Sequence, residues 1–120
     1  MRHTFPKTRR LTKPAEFQRV YADRIRTSAG PFLLHSSPSP TPNARLGLSV
    51  PARVGNAVIR NRIKRLLRES FRLLQHELPP GYDYLITVRP HAPLRLADYQ
   101  ELIRTACARA DEIWKSRKRH

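Results

Sequence analysis

The chain has 120 residues, with 24 Lys and Arg against 9 Asp and Glu and a formal net charge of +15. That length suits one domain with a small core, and the charge points to a polyanionic partner, nucleic acid ahead of an anionic membrane or an acidic protein. No apolar run reaches the roughly 20 residues of a membrane-spanning helix, and the single cysteine, Cys107, excludes an internal disulfide and fits a reducing cytoplasm.

Residues 1–11 hold four Lys or Arg and no acid, which reads as a loosely ordered basic arm without the apolar stretch of a signal peptide. The body expected to follow spans 12–115, with a basic, frayed tail at 116–120. A helix is expected from Thr12 or Lys13, with Pro14 in its first turn and Glu16 near its positive end. It continues through Phe17, Val20 and Tyr21. Ala29 to Ser36 reads as a strand around Phe32-Leu33-Leu34. The stretch from Ser36 to Asn43, with prolines at 38, 40 and 42, reads as a loop. Leu46, Leu48 and Val50 alternate with Gly47 and Ser49 in a half-buried strand ended by Pro51.

Gly55 and Asn56 mark a turn and a helix N-cap. A long helix from about Ala57 to His76 follows, stopped by Pro79-Pro80-Gly81. Tyr82, Tyr84, Ile86 and Val88 form the next strand, and Leu85 between them indicates burial on both sides. Arg89 to Pro93 is a loop. The last helix runs from about Asp98 to Lys115 along the stripe Tyr99, Leu102, Ile103, Ala106, Ala110, Ile113 and Trp114. Trp114 is expected in the core and Cys107 as a half-buried structural thiol. The order α-β-β-α-β-α gives an α+β class, an α/β sandwich in which helices cover a small mixed sheet.

The helix after Asn56 is the most informative segment. Turned at about 100° per residue, Ile59, Ile63, Leu66, Leu67, Ser70, Leu73 and Leu74 share one face. Arg60, Asn61, Arg62, Lys64, Arg65, Arg68 and Arg72 fill most of the rest. Arg60, Lys64, Arg68 and Arg72 recur at spacing four, where like charges repel by a few tenths of a kcal/mol per pair. A solvated face would mix signs; phosphates offset such a row, and guanidinium groups fork onto them.

Protein-borne catalysis finds little support. The five histidines, His3, His35, His76, His91 and His120, lie far apart in sequence, and one cysteine builds no zinc finger. No phosphate-binding glycine loop is present. Asp23, Asp83, Asp98 and Asp111 form no close cluster of the kind a two-metal nuclease uses. Nor does anything indicate a small-molecule substrate. A structural RNA-binding protein, or less readily a DNA binder, shares the composition; a short helix-turn-helix pair is not evident.

The run Arg60-Asn61-Arg62-Ile63-Lys64-Arg65-Leu66-Leu67-Arg68-Glu69, preceded by Gly55-Asn56-Ala57-Val58, closely resembles the signature of the bacterial ribonuclease P protein. Phe17-Gln18-Arg19-Val20-Tyr21 and Arg45-Leu46-Gly47-Leu48-Ser49-Val50 are similar to the family's first helix and to the strand before its signature. The resemblance implies a left-handed βαβ crossover, where sequence alone suggests a right-handed one. It implies a single RNA-binding domain over 1–120 and two RNA partners. Arg53, Arg60, Asn61, Arg62, Lys64, Arg65, Arg68 and Arg72 would face the ribonuclease P catalytic RNA. Phe17, Tyr21, Phe32 and His35 would line a groove for the single-stranded 5′ leader of precursor tRNA. The RNA subunit would hold most of the Mg²⁺ and carry out the endonucleolytic cut. Spacing alone leaves Phe17 and Tyr21 either as core residues or as a stacking platform on one helix face, and Phe32 is equally open. His35 stands where the family often has tyrosine. At Pro51-Ala52-Arg53, where the family more often has a serine and two basic residues, Arg53 keeps one phosphate contact.

Overall fold

The fold is a computed structural model that describes residues 9–118. Its elements are α1 (Pro14–Ala22), β1 (Ile25–Ala29), β2 (Phe32–Pro38), β3 (Arg45–Ser49), α2 (Ala57–Leu74), β4 (Tyr82–Val88) and α3 (Leu96–Lys118), with a short 3₁₀ turn at Ala52–Val54. The expected α+β class with a small mixed sheet is what forms. The strands lie in the order β1-β2-β4-β3. β2 runs antiparallel to β1 and β4, whereas β3 and β4 are parallel and joined through α2.

The register assigns the two sheet faces. Phe32, Leu34, Tyr84, Ile86, Val88, Leu46 and Leu48 share one face. With Ile63, Leu67, Phe71 and Leu74 of α2 and Tyr99, Ile103, Ala106 and Ala110 of α3, most of them make the main core. On the other face Leu85 packs with Leu11 and Val20 in a smaller cluster that Phe17 flanks, and α1 rests there. Leu85 is thus buried on the second side, as the unbroken apolar run of β4 indicated. Gly47 is required by this second layer: a Cβ on it would stand 3.0 Å from Leu11 Cβ and 3.2 Å from Phe17 Cε1.

Several boundaries differ from the sequence expectation. β1 is an additional strand, joined to β2 by the tight turn Gly30-Pro31, where Gly30 has φ of 53° and its α-hydrogen side meets Leu102 of α3. β2 continues past Ser36 into the expected loop, because Ser36 and Ser37 pair with Tyr84 and Asp83. Ser36 is buried there, and its hydroxyl accepts a 3.0 Å hydrogen bond from Trp114 Nε1. The inner end of the expected loose arm is docked: Leu11 N–H donates to Leu46 O at 2.8 Å, and the Leu11 side chain is buried. Residues 1–8 of that arm, and residues 119–120 of the tail, lie outside the described residues.

α3 continues to Lys118 instead of fraying after Lys115, with Lys115 Nζ paired to Asp111 at 2.9 Å, one turn back. It also begins earlier, at Leu96, where the Arg95 N–H donates to Asp98 across the first turn at 3.4 Å. Cys107 is wholly buried beside Tyr84, not half-buried, and burial pushes its thiol well above the ordinary range. In α2 the buried stripe is rotated: Phe71 is in the core and Leu73 is 42% exposed. The Phe71 ring meets Tyr84 at 6.5 Å, and seating that large ring turns Leu73 outward.

Candidate nucleic-acid interface

The α2 surface begins with its cap. Asn56 Oδ1 accepts from the Ile59 N–H at 2.9 Å, as the Gly55-Asn56 signal indicated. The face turned from the core carries Asn61, Arg62, Arg65 and Arg68, all exposed, with Lys64 part-buried beside them. Arg53 is exposed on the 3₁₀ turn just before the helix. Among the described residues, no ion pair is formed by Arg53, Arg62, Lys64, Arg65 or Arg68. The two remaining cations are partly engaged. Arg60 Nε donates to Gly55 O at 3.1 Å and ties the helix start to its turn. Arg72 pairs with Glu69, and this hydrogen bond holds the Glu69 carboxyl below its usual range. Partial burial, and then the nearby Arg10 charge, lower the pKa of Arg68. The Arg10 charge therefore lies near Arg68, at the edge of the cationic face. Sequence reasoning missed Arg10 because it assigned that residue to a loose arm.

Val58, Asn61, Arg62 and Arg65 line a shallow concavity on this face. Val58 is 77% exposed, so the surface offers apolar contact together with cations and one amide.

The second surface lies on the α1 side of the sheet. The register sets Arg26, Leu33, His35, Ser37, Asp83, Leu85, Thr87, Arg45, Gly47 and Ser49 toward it. α1 covers the part near Asp83 and Leu85. Tyr21 is 39% exposed at the helix edge. Its ring meets the His35 imidazole edge-on, 4.8 Å between centroids and 81° between planes. Phe17 is half-buried, with one side against the Leu11, Val20 and Leu85 cluster. Tyr21, Arg24, Arg26 and His35 enclose a cavity of about 270 Å³. Among the described residues, His35 Nδ1 is buried there without a hydrogen-bond partner. Burial, and secondarily the Arg26 charge, hold the imidazole below its ordinary pKa, which favours the neutral ring. Arg24, next to it, takes the left-handed backbone conformation at φ 56°, uncommon for a non-glycine residue.

Phe32 does not join this groove. Its side chain points to the opposite face, is 1% exposed and stacks on Tyr99. The neighbouring Leu33 faces the groove in its place, paired with Thr87. Three of the four expected leader residues, Phe17, Tyr21 and His35, are therefore brought together. Arg24 and Arg26 join them, and sequence reasoning missed both; the signal for Arg26 was the polar half of the Ile25-Arg26-Thr27-Ser28-Ala29 alternation.

Comparison with known proteins identifies the family. The family model described as Ribonuclease P matches residues 5–111. The ribonuclease P protein component of Roseiflexus sp. (strain RS-1) is 38% identical over 109 residues, 89% of each chain. That of Exiguobacterium sp. (strain ATCC BAA-1283 / AT1b) is 37% identical over 111 residues, covering 92% of this chain and 96% of its own. Among solved structures, the Staphylococcus aureus RNase P protein superposes with a TM-score of 0.76 at 29% identity, covering 87% of this chain and 96% of that one. The Thermotoga maritima RNase P protein shares the fold, with a TM-score of 0.76 at 23% identity over 83% of this chain and 96% of its own. A signature helix with an unneutralised cationic face, a fold shared with these structures and a family match over most of the sequence agree: the chain belongs to the ribonuclease P protein family.

Proposed function

We propose that this ribonuclease P protein binds the catalytic RNA through α2 and the 5′ leader of precursor tRNA in the α1–sheet groove, assisting endonucleolytic removal of the leader in the cytoplasm. The observation that carries this reading is the separation of the two surfaces. α2 packs on one face of the sheet and presents free cations outward, while Tyr21, Arg24, Arg26 and His35 form a concave site on the other face. One small body can then touch two RNAs at once. The α2 cations offset repulsion between phosphate backbones, and the exposed Tyr21 ring offers a stacking surface to an unpaired leader base.

Among the described residues no three His, Cys, Asp or Glu side chains are grouped to hold a metal. The most buried carboxylate, Asp83, is taken up by Arg19 and Arg45. Magnesium is assigned mainly to the RNA subunit, where it serves the cleavage chemistry.

The test compares the holoenzyme with its catalytic RNA alone, on precursor tRNA and on leaderless mature tRNA. The protein should strengthen precursor binding, leave mature tRNA binding nearly unchanged, and raise precursor cleavage most at low Mg²⁺. An equal gain for both tRNAs would contradict a leader-binding groove.

A further inference from the structure

α1 has a small apolar seat. Val20 is its only buried residue, and Phe17 is half-buried beside Leu11 and Leu85. A helix of nine residues has little stability of its own, so something else must fix it on the sheet. That role falls to a charge network centred on Asp83 of β4, whose side chain is 0% exposed. Arg45 of β3 forks onto the Asp83 carboxylate through Nε and Nη2, both at 2.7 Å. Arg19 of α1 donates to the same carboxylate. Arg45 Nη1 also pairs with Glu16 of α1 at 3.0 Å. Arg19 Nη1 donates to Ser37 Oγ and to the Pro38 carbonyl of β2, each at 3.0 Å, and the Ser37 hydroxyl donates to Asp23 at the end of α1.

Helical geometry gives the network its leverage. Turned at about 100° per residue, Glu16, Arg19 and Asp23 lie along one flank of α1. Val20 points down at the sheet, and Phe17 and Tyr21 lie along the opposite flank. Val20 alone is a pivot about which the helix could roll. The charged flank, tied to β2, β3 and β4, fixes the roll and so fixes where the aromatic flank stands. A buried ion pair is weak evidence for stability, because apolar residues of equal volume do as well; what a bidentate pair adds is geometry.

We propose that Asp83 is a positioning residue for the leader groove: through Arg19 and Arg45 it sets the roll of α1 and hence the placement of Tyr21 against His35. This rests on the groove reading given above. The test uses the full-length protein, free and assembled with its catalytic RNA, as wild type, Asp83→Asn, Arg19→Met and Arg19→Lys. Arg19→Met frees α1 but leaves Asp83 paired with Arg45, so it stays informative even if Asp83→Asn fails to fold.

Amide hydrogen exchange in α1 should quicken roughly ten-fold or more in Arg19→Met, while α2 and β4 keep their protection. The preference for precursor over mature tRNA should drop by roughly five-fold or more, with affinity for the catalytic RNA unchanged. Arg19→Lys, which keeps a charge near Asp83, should recover part of the exchange protection. Arg19 is part-exposed, so the competing explanation is a direct phosphate contact. That would make the salt dependence of precursor binding shallower by about one contact and leave α1 exchange unchanged. Either that pattern or an undiminished precursor preference in Arg19→Met would overturn the proposal. A wild-type holoenzyme with no preference for the leader would overturn the groove reading itself, and the positioning role with it.

Discussion

Phe32 and Tyr99 stack ring on ring, 5.6 Å between centroids and 18° between planes, on the sheet face away from α1. The Tyr99 hydroxyl is held at 2.7 Å from His91 Nε2 and accepts from the Leu94 N–H at 3.2 Å. The stack is therefore a fixed part of the core. Phe32→Leu should lower folding stability by about 1–2 kcal/mol, from the lost ring contact and a small cavity. Precursor and mature tRNA should bind a folded Phe32→Leu variant as they bind the wild type. Denaturant unfolding and tRNA titrations measure the two effects separately, and a selective loss of precursor binding would return Phe32 to the groove.

The misplacement of Phe32 shows where the sequence runs out. Phe32-Leu33-Leu34 is apolar at three successive positions: Phe32 and Leu34 enter the main core, while Leu33 faces the groove half-buried. A period-two pattern cannot then say which residue faces which side. β1 was hard to read because its inward positions include Thr27 and Ala29, which carry little apolar signal. The elements with strong periodicity or clear punctuation, α2 after Asn56 and β4 between Gly81 and Pro90, were legible. So were the α2 cations, because that helix lacks the balancing acids of an ordinary surface. The Asp83 network was not legible: Arg19 and Asp83 are 64 residues apart, and only the folded register brings them together.

Binding of the protein to the catalytic RNA should weaken steeply with salt. If about five phosphates are neutralised, the log–log slope should be roughly −3.5 to −4.5. Arg65→Ala and Arg68→Ala should each make it shallower by about one unit. Arg104 supplies the control, since it sits on α3 and already bridges Glu77 and Glu101. Arg104→Ala should leave the slope unchanged. Equal slopes for wild type, Arg65→Ala and Arg68→Ala would show that the α2 face is only a solvated surface.

His35 gives the fold a pH dependence of defined sign. Burial and the Arg26 charge lower its pKa in the folded protein. Near neutral pH the ring is uncharged whether folded or unfolded. As pH falls through the unfolded value of about 6.5, the unfolded chain takes up the proton first, so stability falls. His35→Phe removes this proton uptake. Its stability relative to wild type should therefore improve progressively below about pH 6.5. Unfolding curves at pH 7.5 and pH 5 measure the difference, and a gap that stays constant between the two would show that folding does not perturb the ring.

The most direct test of the leader groove is a double substitution, Phe17→Leu with Tyr21→Leu, in the assembled holoenzyme. Leucine retains much of the apolar volume while removing both aromatic faces. Binding is measured for precursor tRNA and for mature tRNA, with thermal unfolding of the variant recorded beside it. Precursor affinity should fall by about 1–3 kcal/mol or more, the worth of one or two stacked bases, while mature tRNA affinity hardly changes. Equal losses for the two tRNAs in a folded variant, or no loss for either, would contradict the leader role and leave both rings as packing for α1.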